Sequence, residues 1–192
     1  MLLTADGRRF MIRQALVLSF LGALVFAPAA SAQATFERPG LLTSVGQSSD
    51  IAIVKVVVNT QLKLDLAVKP LATFADLEGI KTLVVVVGAS TKGLGAAGLD
   101  VEKEVARGRA LLKAARDKGI KLIVLHTGGE SRRGKTSNDM IEAVVPAADQ
   151  VIVVATGNKD KLFNTLAATR NIPVVEVEKA TALGEALKPL FK

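Results

Sequence analysis

Thr82-Leu83-Val84-Val85-Val86-Val87 is the run that decides the fold. It shows no polar alternation, so both of its faces must be covered, and a strand covered on both faces belongs in the middle of a parallel sheet. Working outward, Lys121 to His126, Val151 to Ala155 and Ile172 to Val177 repeat the pattern downstream, and Leu41 to Ser44 and Leu64 to Val68 precede it. Helical spacing fills the gaps. From Leu99 to Lys118, Val101, Val105, Leu112 and Ala115 form one stripe, Lys103, Glu104, Arg107 and Lys113 face outward, and Gly119 closes the helix. Further helices are expected from Asn138 to Val145, where Pro146 stops the turn, from a cap at Asn158 to about Arg170, and from Ala182 to Leu190. Ser48 and Ser49 suit the start of a helix over Asp50 to Thr60, although Ile51, Ile53, Val54, Val56, Val57 and Val58 would also suit a strand. Thr73-Phe74-Ala75-Asp76 reads as a capping box that opens a single turn. Alternating strands and helices predict an α/β three-layer sandwich. Its parallel sheet has five to six strands and is flavodoxin-like or Rossmann-like, with the strand order left open.

The first 32 residues read differently. Arg8, Arg9 and Arg13 lead into an apolar run from Ala15 to Ala27, and Ala30 and Ala32 supply a small-residue cleavage signal. This predicts a signal peptide over 1–32, a single α/β domain over 33–192, and a periplasmic or extracellular location. A retained anchor is the rival, but the run is shorter than the ~20 residues needed to span a bilayer. Met11 is an alternative start, and Arg8-Arg9 suggests a twin-arginine signal. No later stretch is apolar for long enough to form a stable membrane span.

The chain has no cysteine, which removes disulfides, thiolate metal ligands and a thiol nucleophile. Residues 33–192 carry 22 basic and 17 acidic side chains, a net +5 spread along predicted helices. With no Tyr or Trp and no Lys/Arg run, nucleic acid is not an expected partner. One histidine among scattered carboxylates argues against a transition-metal site, and no cofactor is called for.

In a parallel sheet the working edge lies beyond the carboxyl ends of the strands. Four segments rich in glycine and small polar residues fall there. The first offers Ser44, Gly46, Gln47 and Ser48, and the second Gly88, Ser90, Thr91, Lys92 and Gly93. The third offers His126, Thr127, Gly128, Gly129, Glu130, Arg132, Arg133 and Lys135, and the fourth Asn158 and Lys159. The second and third exceed the ~4–6 residues a plain connection needs. Glycines expose backbone N–H groups and helix N-termini attract negative charge, so these segments suit an anionic or polyhydroxylated guest held by Lys and Arg. Gly93-Leu94-Gly95-Ala96-Ala97-Gly98 matches a dinucleotide fingerprint only loosely, because it starts about five residues after its strand.

His126 is the one candidate general base, with Glu130 as orienter and Ser131, Ser44 or Ser90 as hydroxyl partner. A histidine that only bonds its own loop is the plainer reading. In these same segments, Thr43 to Asp50, Val87 to Gly98, His126 to Gly134 and Gly157 to Asp160, the chain resembles a family of secreted bacterial α/β domains of unknown function. The resemblance implies a fold and export, and no activity. Three functions follow as expectations: a binding module for a small polar or anionic ligand, an extracytoplasmic hydrolase or transferase using His126, or a structural subunit joined to an envelope or transport partner.

Overall fold

The computed structural model describes residues 34–192, and the expected signal peptide, its start and its cleavage site lie outside those residues. Six parallel strands form one sheet, β1 (Gly40–Val45), β2 (Ala67–Val68), β3 (Thr82–Val87), β4 (Lys121–His126), β5 (Gln150–Val154) and β6 (Val174–Val177). Their order is β2-β1-β3-β4-β5-β6. This is the flavodoxin-like arrangement, and it resolves the choice the sequence left open. All six residues of β3 are fully buried in the sheet centre, as uninterrupted aliphatic runs require.

The helices lie on both faces. On one face α2 (Thr91–Ala96), α3 (Val101–Asp117), α4 (Lys135–Val144) and α5 (Leu162–Ala168) cover Leu83, Val85, Leu122, Val124, Val151 and Val153. On the other, α1 (Asp50–Lys55), the π-helical turn Val56–Gln61 and α6 (Leu183–Leu187) cover Leu42, Val84, Val86, Ile123 and Ile152. Each fully buried Val or Leu stabilises the fold by about 1.5–3 kcal/mol. The chain leaves β1 toward one face and β3 toward the other, so a crevice position opens between these neighbours, at their carboxyl ends.

Several expectations need correction. The second strand is two residues long, because Lys63 and Asp65 take positive φ and break the extended run expected from Leu64. The second glycine-rich segment is largely a helix, α2, whose Ser90 cap accepts from Gly93 N at 3.1 Å. Part of the third is a 3-10 turn, Gly129–Arg132, and α4 begins at Lys135, three residues before the expected Asn138. Both connections are therefore shorter than they read, and loop length no longer argues for binding. Asn158 is not the cap residue of α5, which starts at Leu162. The capping box at Thr73 and Asp76 is present.

Candidate functional site

Because every strand runs the same way, Val45, Val87, His126 and Val154 end at one rim, and the four glycine-rich segments meet there. Gln47 bridges to Ala89. A Cβ on Gly93 would sit 2.0 Å from the Gln47 carbonyl oxygen, and one on Gly157 would sit 2.8 Å from His126 Cδ2. The glycines thus let loop pack on loop. Their amides are largely spent on the protein: Gly46 N donates to Glu104 Oε1 at 2.8 Å, Gly88 N to Val45 O at 3.0 Å, and Ser90 N to Gly46 O at 2.8 Å. This corrects the expectation of open N–H groups around Gly46, Gly88, Ser90 and Gly93. Thr91 and Lys92 lie in the first turn of α2 with exposed side chains.

Glu104 and Arg107 were expected on a solvated helix face. Instead Glu104 is fully buried. Its carboxylate accepts from Gly46 N, from Gln47 Nε2 at 2.8 Å and from Arg107 Nε at 2.7 Å. Arg107 in turn donates to the Ser44 and Ala72 carbonyls at 2.5 and 2.9 Å. Burial opposes the charged form, but the bonds from Arg107, Gly46 and Gln47 outweigh it and hold the Glu104 carboxyl below the usual glutamate range. This pair ties α3 to the turn after β1. Gln47 is accordingly occupied as a structural donor.

The expected His126 and Glu130 dyad is not formed. His126 is fully buried. Its Nδ1 lies 2.9 Å from Val87 O and its Nε2 3.1 Å from Gly129 O, while the ring packs against Phe163 with centroids 5.2 Å apart. Glu130 points away, its carboxylate 2.5 Å from Lys159 Nζ on the open surface. Among the hydroxyl partners proposed for it, Ser131 Oγ donates to Gly128 O at 2.8 Å and Ser90 Oγ caps α2. Burial depresses the affinity of His126 for a proton, against the raising pull of its two carbonyls. The sign follows: below pH 6.5 the unfolded chain takes up a proton that the folded chain resists, so stability declines as pH falls through that window. Urea denaturation between roughly pH 5 and 7.5 should show this decline, and a His126→Gln variant should flatten it.

The basic residues offered as anion holders are mostly matched with acids. Arg133 pairs with Asp160 at 2.7 Å, donates to Asn138 Oδ1 at 2.9 Å and to the Gly157 carbonyl, and lies over the Phe163 ring. Lys135 pairs with Asp139 at 2.9 Å. Asn158 is fully buried and bonds Asn164, Glu176 and Phe163 N. It is a structural tie, which corrects its assignment as a ligand contact. Arg132 differs. Its Nε lies 3.4 Å from Asp50 Oδ1 and its terminal nitrogen 3.5 Å from Ser49 Oγ, both at the long end of hydrogen bonding.

Asp50, the long-range partner of Arg132, also carries an unsatisfied oxygen. Among the described residues, the buried side-chain polar atoms without a partner are Ser44 Oγ, Asp50 Oδ2 and Thr127 Oγ1. Ser44 is near the carboxyl end of β1, Thr127 directly follows β4, and Asp50 opens α1. Gly128 closes the gap, since a Cβ there would lie 2.6 Å from Asp50 Oδ2 and 1.9 Å from Arg132 Cγ. A Cβ on Gly88 would stand 3.8 Å from Arg132, 3.9 Å from His126 Nδ1 and 3.9 Å from Ser48 Oγ, so these polar groups surround the β1 and β3 crevice. Ser48 Oγ itself accepts from Asp50 N at 3.1 Å. Asp50 is the site residue the sequence reading missed, because an acid in the first turn of a helix reads as a complement to its dipole. A shallow cavity of about 300 Å³ opens between Glu130, Arg133, Asn138, Thr156 and Lys159, and none of the three unsatisfied oxygens belongs to a residue that lines it. Among the described residues there is no cluster of His, Asp and Glu able to hold a metal, and no helix long and apolar enough to cross a membrane.

A solved structure assigned to the G-D-S-L family of lipolytic proteins, from Desulfitobacterium hafniense DCB-2, is similar to this chain at 13% identity. The match covers 72% of this chain and 77% of that one, with a TM-score of 0.36, too low to carry an argument about chemistry. No curated protein matches the chain. Residues 37–191 match a family described as a domain of unknown function, DUF6305, and nearly all of the described structure falls inside that match. The chain therefore belongs to the DUF6305 family.

Proposed function

We propose that this protein is an exported binding module for a small polar molecule, seated at the β1 and β3 crevice. The observation that carries the reading is the location of the unpartnered buried oxygens, which among the described residues all belong to segments at the carboxyl-end rim of the sheet. A buried acceptor left unpaired costs about 1–3 kcal/mol, and more when charged, unless a guest supplies the missing hydrogens. Asp50 Oδ2 and Thr127 Oγ1 call for a hydroxyl or ammonium donor. Arg132, loosely held by Asp50, suits a carboxylate on the same guest. That pairing favours amino acids and 2-hydroxy acids over simple anions, since most rim cations already face carboxylates. The hydrolase alternative depends on a His126 and Glu130 pair, and the burial of the first and the ion pair of the second speak against it.

Thermal denaturation of residues 33–192 with a panel of amino acids and 2-hydroxy acids tests the reading. A guest at about 100 times its Kd raises Tm by roughly 5–10 °C. Asp50→Asn and Arg132→Gln should abolish that rise while leaving the unliganded Tm within a few degrees, because Arg132 makes only long contacts. A guest that stabilises Asp50→Asn as strongly as the wild type would rule this site out.

A further inference from the structure

At the opposite end of the sheet lies a larger cavity, of about 400 Å³, that the rim site does not use. Helix α1 starts at the carboxyl end of β1 and runs back through the π-helical turn, so Gln61 to Leu64 arrive at the amino ends of the strands. There they meet Arg38, just before β1, and the last residues of the chain, Lys188, Phe191 and Lys192. Arg38, Lys63, Lys188 and Lys192 line this cavity, and among the described residues no acidic side chain does. Many cations elsewhere are matched with acids, as Lys69 with Asp76 or Lys161 with Glu176. Among the described residues, none of these four cations takes part in a salt bridge. Even if the α-carboxylate of Lys192 is counted, the cavity keeps a net excess of positive charge. Like charges gathered in one concavity repel, and the arrangement is relieved when an anion enters.

Two further features shape the guest. Leu62, Leu64 and Phe191 give the cavity an apolar wall. Lys63 is held at φ 54°, a left-handed conformation that a lysine seldom adopts and that glycine or asparagine would fill at less cost. It follows a π-helical turn, a departure from regular helix that recurs at functional sites.

We propose that this cavity is a second binding site, for a phosphate monoester-type anion that carries an apolar portion. The charged head meets the lysines and Arg38, and the apolar part lies against Phe191 and the two leucines. The same head chemistry belongs to free organic phosphates and to phosphatidic acid, a phospholipid whose head is itself a phosphate monoester.

Titration calorimetry of residues 33–192 with phenyl phosphate and with inorganic phosphate tests this, together with flotation on vesicles of equimolar phosphatidic acid and phosphatidylcholine. The expected result is saturable binding of phenyl phosphate, tighter than inorganic phosphate and weakened by added salt. A Lys63→Gln/Lys188→Gln variant should lose roughly tenfold or more in affinity. A Lys55→Gln/Lys179→Gln variant, with the same change in net charge away from the cavity, should keep it. Flotation with the vesicles that is lost in the first variant alone, without binding of phenyl phosphate, would assign the cavity to lipid head groups. Binding that falls equally in both variants, or none to any of these probes at about 10 mM, overturns the proposal. Asp50 and Arg132 lie at the other rim, so this result is independent of the crevice site.

Discussion

Glu104→Ala is expected to destabilise the protein by about 3–5 kcal/mol, the range for breaking a buried ion pair from one side. The change strands Arg107, whose side chain is mostly buried, without its carboxylate, and it leaves Gly46 N and Gln47 Nε2 without their acceptor. Both losses fall on the turn that follows β1, so the crevice should loosen along with the global stability. Urea denaturation measures the cost, and amide exchange at Gly46 reports the local opening. The acid limb carries a second signature. A carboxyl whose folded pKa is depressed contributes stability that is present above its unfolded value, near pH 4.5. That contribution disappears as pH falls through the lower folded value. Glu104→Gln should therefore be less sensitive to acid than the wild type in this window. A loss below about 1 kcal/mol for Glu104→Ala would mean that the buried pair does not hold the turn.

The second large effect is steric. Gly46 sits at φ 105°, where a side chain is strained whatever the space, and a Cβ would stand 2.3 Å from Gly88 O and 2.7 Å from Met140 Sδ. Neither the backbone of β3's exit nor the packed methionine yields easily. Gly46→Ala should cost about 3 kcal/mol or more, combining left-handed strain with overpacking. Gly95→Ala is the matched comparison, because a Cβ there meets nothing within 4 Å. It should be neutral or slightly stabilising, as expected for removing a glycine from a helix. Equal Tm values for the two variants would contradict the tight seam between the first and second rim segments.

The layers of the fold were legible because β3 and β4 are buried on both faces, and residues buried on both faces leave no polar alternation in the chain. Thr82–Val87 and Lys121–His126 fall where the pattern put them. Helix α2 was hidden by its own composition, since Gly93 and Gly95 read as loop, yet Gly93 permits the close approach to Gln47. The short β2 was overestimated because backbone sign at Lys63 and Asp65 leaves no trace in hydropathy. At the site, the gathering of four segments at one rim followed from parallel topology alone. Which side chains would be free did not, because that depends on partners far apart in sequence, such as Arg133 with Asp160 and Glu130 with Lys159. Glu104 left a usable trace: it lies on the same stripe as Gly108, Leu111 and Ala115, all buried in α3. A charge in line with a buried stripe is a candidate for a buried pair.

Asp50 was passed over for a similar reason, and it is where the functional reading can be tested most directly. Residues 33–192, purified without prolonged dialysis, can be denatured and the released small molecules identified by mass spectrometry, alongside an Asp50→Ala variant. Occupation of the β1 and β3 crevice predicts a hydroxyl- or ammonium-bearing species released from the wild type and at least about tenfold less of it from the variant. Release of the same species in the same amount from both proteins, or of none from either, would contradict it.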